Sequence, residues 1–435
     1  METNFSKEQL KDKDNKSSEK ILRKCVHCGF CNTTCPTYDL LGNELDGPRG
    51  RIYLIKDMIE NNKPANKKIV EHIDRCLSCY SCMTTCPSGV NYMHLVDHGR
   101  MHIEKTYKRS FGDRFVRNLL SQIIPYPLRF KLIGMLILLI KPIRFIFPKK
   151  LKEMIKIMPL SFPKRKLPKL RVYKPGKKKK AVARVALLTG CVQQVISPQI
   201  NEATIRLLNR HNVEVVIPKG VGCCGSLDHH LGKSDLAKET FKKNILIWYE
   251  EYLNNGLDAI ISNTSGCGTT LKDYGFIFRW DDDLKKKAKK ISELTKDISE
   301  YLDENVKLNF INNKENIKGY KIAYHSACSM QHAQKIHNVP INLIKRTGNK
   351  VFDIPEGHFC CGSAGTYNLL QSDIAKKLLE NKILNINKIN PAFIATGNIG
   401  CITQIASGTK IPILHTVEVI DWYTGGPKPK AIKHL

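Results

Sequence analysis

The chain has 435 residues, long enough for two to four domains, and 42% hydrophobic with 25% charged residues is the composition of a soluble globular protein. A net charge of +30 suggests a nucleic-acid binder, but half of the excess lies in residues 141–180, where 16 Lys and Arg face a single acid, Glu153. Such a run attracts nucleic acid, anionic lipid or an acidic partner alike, or is simply a solvated face, and it lies outside every cysteine motif.

Residues 1–20 are polar and charged, with no apolar signal-peptide core, and read as a disordered tail. Without export the 16 cysteines meet a reducing cytosol, where metal ligation is favoured over disulfides. The run Cys25-x-x-Cys28-x-x-Cys31-x-x-x-Cys35-Pro36 comes first, and Cys76-x-x-Cys79-x-x-Cys82-x-x-x-Cys86-Pro87 repeats it 51 residues later. Three cysteines spaced by two wrap three corners of an iron–sulfur cube, and the fourth, before Pro, ligates the other cube. The expected sets are therefore Cys25, Cys28, Cys31 and Cys86 on one [4Fe-4S] cluster, and Cys76, Cys79, Cys82 and Cys35 on the other. Paired C-x-x-C motifs also bind zinc, but the doubled longer run is far more specific. Between the motifs, Asp46 to Arg51 reads as a turn, and Ile52, Ile55, Met58 and Ile59 fall at helical spacing. Residues 21–110 are thus expected to form a mainly helical ferredoxin-type domain.

Residues 111–180 hold no cysteine and read as a basic linker with one apolar helix. Its apolar run, Leu132 to Ile140, is too short to span a bilayer. Flanked by Lys131, Lys141, Phe130, Phe145 and Phe147, it suits a membrane surface or, equally, packing between domains. Pro163, Pro168 and Pro175 with Lys177 to Lys180 suggest an extended segment.

The remainder is an internal repeat, 181–310 and 318–435. Val185 to Cys191 matches Ile322 to Cys328, and Ile217 to Ser226 matches Ile354 to Ser363, both at an offset of 137 residues. Asn263 to Cys267 matches Gly397 to Cys401 at 134. Each half carries one cysteine, an adjacent pair followed by Gly, and one more: Cys191, Cys223, Cys224, Cys267, then Cys328, Cys360, Cys361, Cys401. Apolar runs at 184–188, 213–217, 259–262, 321–324, 351–354 and 393–395 end shortly before these cysteines. With helical stretches between them they predict α/β halves whose parallel strands deliver cysteines at their carboxyl ends. The fold class is therefore α+β multidomain. The Cys-Cys-Gly cysteines form a candidate further iron–sulfur site; packing of small side chains at strand ends is the alternative. Gly220 to Gly225 matches a dinucleotide fingerprint only formally, since Phe359 replaces Gly222 in the repeat. With no flavin or nicotinamide loop and no nucleophile set, the chain is expected to pass electrons rather than start the chemistry. No catalytic residue is assigned. His325 and His358 stand near cysteines but have Leu188 and Val221 as counterparts, so satisfied loop or core histidines are expected.

Cys25 to Cys31, Asp46-Gly-Pro-Arg-Gly-Arg51, Asp74 to Gly89, Phe359 to Leu370 and Thr396 to Cys401 together resemble the iron–sulfur subunit of glycolate oxidase (glycolate dehydrogenase). The resemblance implies a subunit inactive alone, in a complex oxidising glycolate to glyoxylate. FAD would sit only on partner subunits, and electrons would pass through two [4Fe-4S] clusters to a quinone or other respiratory-chain acceptor. It also implies a cytoplasmic location, peripheral on the inner face of the cell membrane, with no nucleic acid bound. The paired halves are similar to the Cys-Cys-Gly chain of heterodisulfide reductase, which holds noncubane clusters, but Thr270 and Gln404 stand where that pattern has cysteine. The alternatives by domain order are the iron–sulfur subunit of anaerobic glycerol-3-phosphate dehydrogenase or of a lactate-oxidising complex. From another class, a zinc-stapled basic nucleic-acid-binding module would show zinc and steep salt dependence.

Overall fold

The computed structural model describes residues 1–146, 171–176, 180–311 and 319–435, with positions 152, 155, 162 and 163 between them. The expected extended run through Pro168 and Lys177 to Lys179, and the expected flanking role of Phe147, lie outside the described residues.

The first unit is helical. Residues 1–20 do not remain a tail: Asp12 accepts from the backbone N–H groups of Asp14 and Asn15 and starts helix α1, Lys13–Lys24. Its few inward residues suffice, because Ser18 and Leu22 are buried while the lysines stay in water. The turn expected over Asp46 to Arg51 ends at Gly47, where Pro48 opens α2, Pro48–Glu60. Proline suits that first position, since its missing N–H would have no helical partner there. Helices α3, Lys67–Asp74, and α4, Tyr92–Thr106, complete the unit. Ile52, Ile55, Met58 and Ile59 pack on Ile73, Leu95, Val96 and Ile103, so the helical spacing of the first set becomes one face of this core.

A hairpin follows: α5, Phe111–Ile123, and α6, Pro127–Ile140, bent by 119° at their junction. Helix α5 is fastened by Arg117 to Asp74 (2.7 Å) and by Ser121 to Asp228. Helix α6 fully buries Gly134 and half-buries Ile133, Ile137 and Leu138, while Leu128, Leu132, Leu136 and Leu139 stay exposed.

The two halves are sheets of the same strand order. In the first, β1 (Val172–Tyr173), β2 (Ala183–Leu188), β3 (Val213–Val216), β4 (Ala259–Ser262) and β5 (Thr295–Asp297) run in the order β1-β3-β2-β4-β5, with only β1 antiparallel. In the second, β6 (Lys321–Tyr324), β7 (Lys350–Asp353), β8 (Phe393–Thr396) and β9 (Ile413–His415) run β7-β6-β8-β9, all parallel. Val185 pairs with Val215 and Ala259, as Ile322 pairs with Val351 and Phe393. The halves share a core in which Val417 and Ile420 of the helix Thr416–Tyr423 join Ile200, Leu207 and Val215 of the first half. Arg206 reaches Asp421 across it at 2.6 Å.

Candidate metal centres

Crossing of the helical unit brings the first thiol set together. A small cavity of about 20 Å³ is lined by Cys25, Cys28, Cys31 and Cys86, with Cys82 behind them. Burial and then the neighbouring Cys25, Cys86 and Cys28 push the Cys31 thiol up to about 12. A thiol held protonated in this way is relieved when a cation binds it as thiolate.

The second set is deeper. Cys35, Cys76 and Cys82 are buried, and Cys79 is partly buried. Burial followed by the thiols of Cys79, Cys76 and Cys35 raises Cys82. Cys76 is the exception. Its burial opposes ionisation, but Arg51 and Arg100, with the Ser78 N–H and the Tyr92 hydroxyl, outweigh it and hold the thiol below its usual value. The Arg51 side chain, 1% exposed, donates from Nε to the His72 carbonyl (2.8 Å) and from Nη2 to Thr37 Oγ1 (3.0 Å), and its Nη1 lies 3.9 Å from Cys35 Sγ. Tyr92 Oη donates to Cys76 Sγ at 3.6 Å. Fixed donors and cations around buried sulfur are what anionic cluster sulfurs require, so the residues present fit iron–sulfur ligation. Arg51, Arg100 and Tyr92 were missed by sequence reasoning; the one available signal was Arg51's place in the Asp46–Arg51 string.

The Cys-Cys-Gly cysteines all reach one place. Cys191, Cys223–Cys224 and Cys267 follow β2, β3 and β4; Cys328, Cys360–Cys361 and Cys401 follow β6, β7 and β8. All eight, with Cys76 and Cys79, line one central cavity of about 350 Å³. In the first half Cys223 Sγ lies 3.6 Å from Cys191 Sγ, and Cys224 Sγ 3.2 Å from Cys267 Sγ. The same pairs interact in the second half, Cys328 with Cys360 and Cys361 with Cys401. The glycine after each pair turns at positive φ (+80° at Gly225, +89° at Gly362), and its N–H donates to the first cysteine of the pair at 3.4 Å in both halves. A Cβ there would strike Phe241 in one half and the Ala375 backbone in the other. Converging thiols with aimed N–H donors go beyond small side chains packing at strand ends.

The sets are contiguous. Cys31 raises Cys82, and Cys79 is raised by Cys328 and in turn raises Cys360. Lys382, buried at the second half, donates to the Glu356 carbonyl (3.1 Å) and offsets negative charge on that half's thiols. Thr270 and Gln404 are buried and bonded otherwise: Thr270 Oγ1 donates to the Gly266 carbonyl (3.4 Å), and Gln404 Oε1 accepts from Asn368 (2.9 Å). His358 lies against the Phe359 ring, 4.2 Å between centroids. His325 is buried beside Cys361 and Cys401, and burial, then Lys382, bring its imidazole down to about 3.

Comparison with known proteins agrees. Residues 21–90 match the 4Fe-4S dicluster domain, and residues 185–272 and 322–406 match the cysteine-rich domain. The chain is 39% identical to the glycolate oxidase iron-sulfur subunit of Escherichia coli (strain K12), covering 97% of this chain and 98% of that one. It is 30% identical to the probable glycolate oxidase iron-sulfur subunit of Bacillus subtilis (strain 168), over 93% of each. Lactate utilization protein A of Geobacillus sp. (strain WCH70) is 25% identical over 55% of this chain and 99% of that protein. A crystal structure of a hypothetical protein from Helicobacter pylori shares the fold, with TM-score 0.54 at 10% identity, covering 97% of this chain and 74% of that one. The dicluster match replaces the zinc-stapled alternative with iron–sulfur chemistry.

Proposed function

The chain belongs to the family of glycolate oxidase iron–sulfur subunits and carries electrons in such an oxidoreductase, and on that premise we propose the following path. A flavin-bearing partner oxidises glycolate to glyoxylate and passes electrons to this chain. Cys25, Cys28, Cys31 and Cys86 would hold one [4Fe-4S] cluster and Cys76, Cys79, Cys82 and Cys35 the other, supplying one-electron carriers. The Cys-Cys-Gly thiols would hold a further iron–sulfur centre, and a quinone would receive the electrons.

The observation that carries this reading is the continuity of the thiol sets, from Cys28 near the surface, through Cys31 and Cys82, to Cys79 beside Cys328 in the central cavity. Electron tunnelling needs short gaps, and each set adjoins the next. Arg51 and Arg100 offset the negative charge that reduction adds, and Tyr92 orients Cys76. Ile124 and Phe130 of the α5–α6 hairpin line the same cavity, giving a lipophilic acceptor an apolar approach from the side of the uncovered helix. That helix exposes Leu128, Leu132, Leu136 and Leu139, with Phe145 and Ile146 beyond it. Leucines, flanked by the basic stretch, suit the surface of an anionic bilayer, which supports the reading of a peripheral chain on the cytoplasmic face of the cell membrane. No single described helix is long and apolar enough to cross a membrane.

The test is reconstitution. The anaerobically purified chain should contain iron and labile sulfide, and should not oxidise glycolate. With its flavoprotein partners it should support glycolate-dependent reduction of a short-chain quinone. Glycolate turnover by the chain alone, or quinone reduction by the flavoproteins without it, would overturn the path.

A further inference from the structure

The two halves share strand order, thiol pairing and glycine turns, yet they do not offer the same donors. At the end of β2 the first half has Leu188, fully apolar and part of its core. At the same place on β6 the second half has His325. Its backbone N–H is held by the Ala395 carbonyl of the neighbouring strand at 2.8 Å, so the sheet fixes where the imidazole starts.

That imidazole is 1% exposed, and neither Nδ1 nor Nε2 has a hydrogen-bond partner. Leaving a buried polar nitrogen unpaired costs about 1–3 kcal/mol, so an orphaned buried histidine calls for an explanation. A ring nitrogen of His325 and the sulfurs of Cys361 and Cys401 all lie within 4.8 Å of one another. The two sulfurs are themselves paired, and Cys328 and Cys360 complete the group. Gln404, three residues after Cys401, is already engaged by Asn368 and by the Ala375 carbonyl (3.4 Å). The second half therefore presents four thiols and one free imidazole, and the first presents four thiols at equivalent positions.

Resting on the reading that the Cys-Cys-Gly halves hold iron, we propose that His325 is an iron ligand, and that the second half binds a mixed imidazole–thiolate centre on His325, Cys328, Cys360, Cys361 and Cys401. The first half holds an all-thiolate site or none. Unlike a further thiolate, the neutral imidazole adds no negative charge to the metal. The second half also carries buried Lys382, whose positive charge favours the reduced state and raises the reduction potential. It is thus the more oxidising of the halves, and it is the one adjoining Cys79. The second cube's thiols thus adjoin the more oxidising half.

The experiment uses the full chain, purified anaerobically and labelled with ¹⁵N-histidine, examined by iron analysis and pulsed EPR on stepwise reduction. A signal abolished by Cys360→Ser identifies a centre in this half. The proposal expects that signal to show a strong nitrogen coupling that changes from ¹⁴N to ¹⁵N with the label. His325→Cys should keep the iron and lose the coupling, and His325→Leu should release iron to a chelator on the order of ten-fold faster. A centre lost in Cys360→Ser but without any label-sensitive nitrogen coupling overturns the histidine ligand and leaves the iron in place. Iron content unchanged by Cys360→Ser, with no signal lost, overturns both the ligand and the underlying reading. The labelled wild-type chain decides the matter even if a variant misfolds.

Discussion

At the scale of single residues, Arg51 does most to make the second thiol set habitable for a cluster. It is fully enclosed, touches Thr37, the His72 carbonyl and Cys35, and lies 3.7 Å from Asp46. Asp46 in turn binds His72 (2.9 Å) and Arg75 (3.0 Å), so one network joins three segments of chain to the sulfurs. Arg51→Met should cost about 3–5 kcal/mol, because removing one member leaves the others buried and underpaired. Iron per chain should fall by the second cube's share, measured beside thermal unfolding, whereas unchanged iron would show that Arg51 is dispensable for assembly. Arg51→Lys keeps the charge but not the forked donors and should fall between. The grouping of Cys86 with Cys25, Cys28 and Cys31 around one cavity was legible in the repeated spacing. Arg51 was not, because its burial arises only when α2, α3 and the Cys35 loop converge. His325 was legible as a core histidine but not as one whose nitrogens lack partners.

At the scale of elements, six of the nine strands among the described residues were legible, since each is an apolar run ending before a cysteine. The short β1, β5 and β9 were not, and β5, Thr295–Asp297, is too polar to announce a strand. It is placed by β4 and leads directly into a capped helix, Ile298–Asn305, with Asp297 accepting from the Ser299 N–H. The equivalent cap after β9 is His415. Burial raises the Asp297 carboxyl to about 7, despite the Ser299 hydrogen bond, and its Oδ2 has no partner. A raised acid binds its proton more tightly folded than unfolded, so stability should fall as pH rises from about 4, the unfolded value, to about 7. The slope approaches at most about 1.4 kcal/mol per pH unit. Asp297→Asn should flatten that part of the profile in denaturant titrations between pH 4 and 8, and an unaltered slope would assign the dependence elsewhere. Helix α6 makes a different prediction. Its exposed leucines gain nothing where they are, so inserting Leu132 and Leu136 into a bilayer should contribute about 3 kcal/mol or more. Leu132→Glu with Leu136→Glu should weaken sedimentation with phosphatidylglycerol vesicles on the order of 100-fold, with iron content unchanged. Equal binding of the double variant, or none by the parent chain, would remove α6 from the membrane.

At the scale of the whole molecule, the helical unit is held against the first half by polar contacts rather than a shared apolar core. His94 binds Asp273 at 2.8 Å and stacks on Phe276, Arg279 reaches Asp14 at 3.1 Å, and Asp97 takes His229 at 3.2 Å. No repeat or periodicity encodes such pairs, since each joins residues more than a hundred positions apart, and the sequence therefore showed the parts without their docking. Asp97 is faced by His229, by His230 at 3.6 Å and by Arg100 at 4.0 Å. Its burial opposes ionisation, but His229 and His230 outweigh it and hold the carboxyl well below the usual range. His229 is likewise buried, yet Asp97 raises it above its ordinary value. The signs then fix a window. The depressed Asp97 contributes fully above its unfolded value near 4 and loses that contribution as pH falls through the folded one. The raised His229 contributes fully below its unfolded value near 6.5 and loses that contribution as pH rises through the folded one. Asp97 and His229 favour docking most between about pH 4 and 6.5, and the joint should loosen on the alkaline side, where His229 gives up its proton while Arg100 remains. Buried His230, held below its ordinary value by desolvation, trims the acidic end of that window. Hydrogen exchange of the α4 amides, followed from pH 6 to 9 and corrected for intrinsic rates, should therefore show protection declining with pH. His229→Gln should begin at the lower protection and lose the decline. A decline of the same size in that variant would show that another group governs the joint through which the helical unit meets the central cavity.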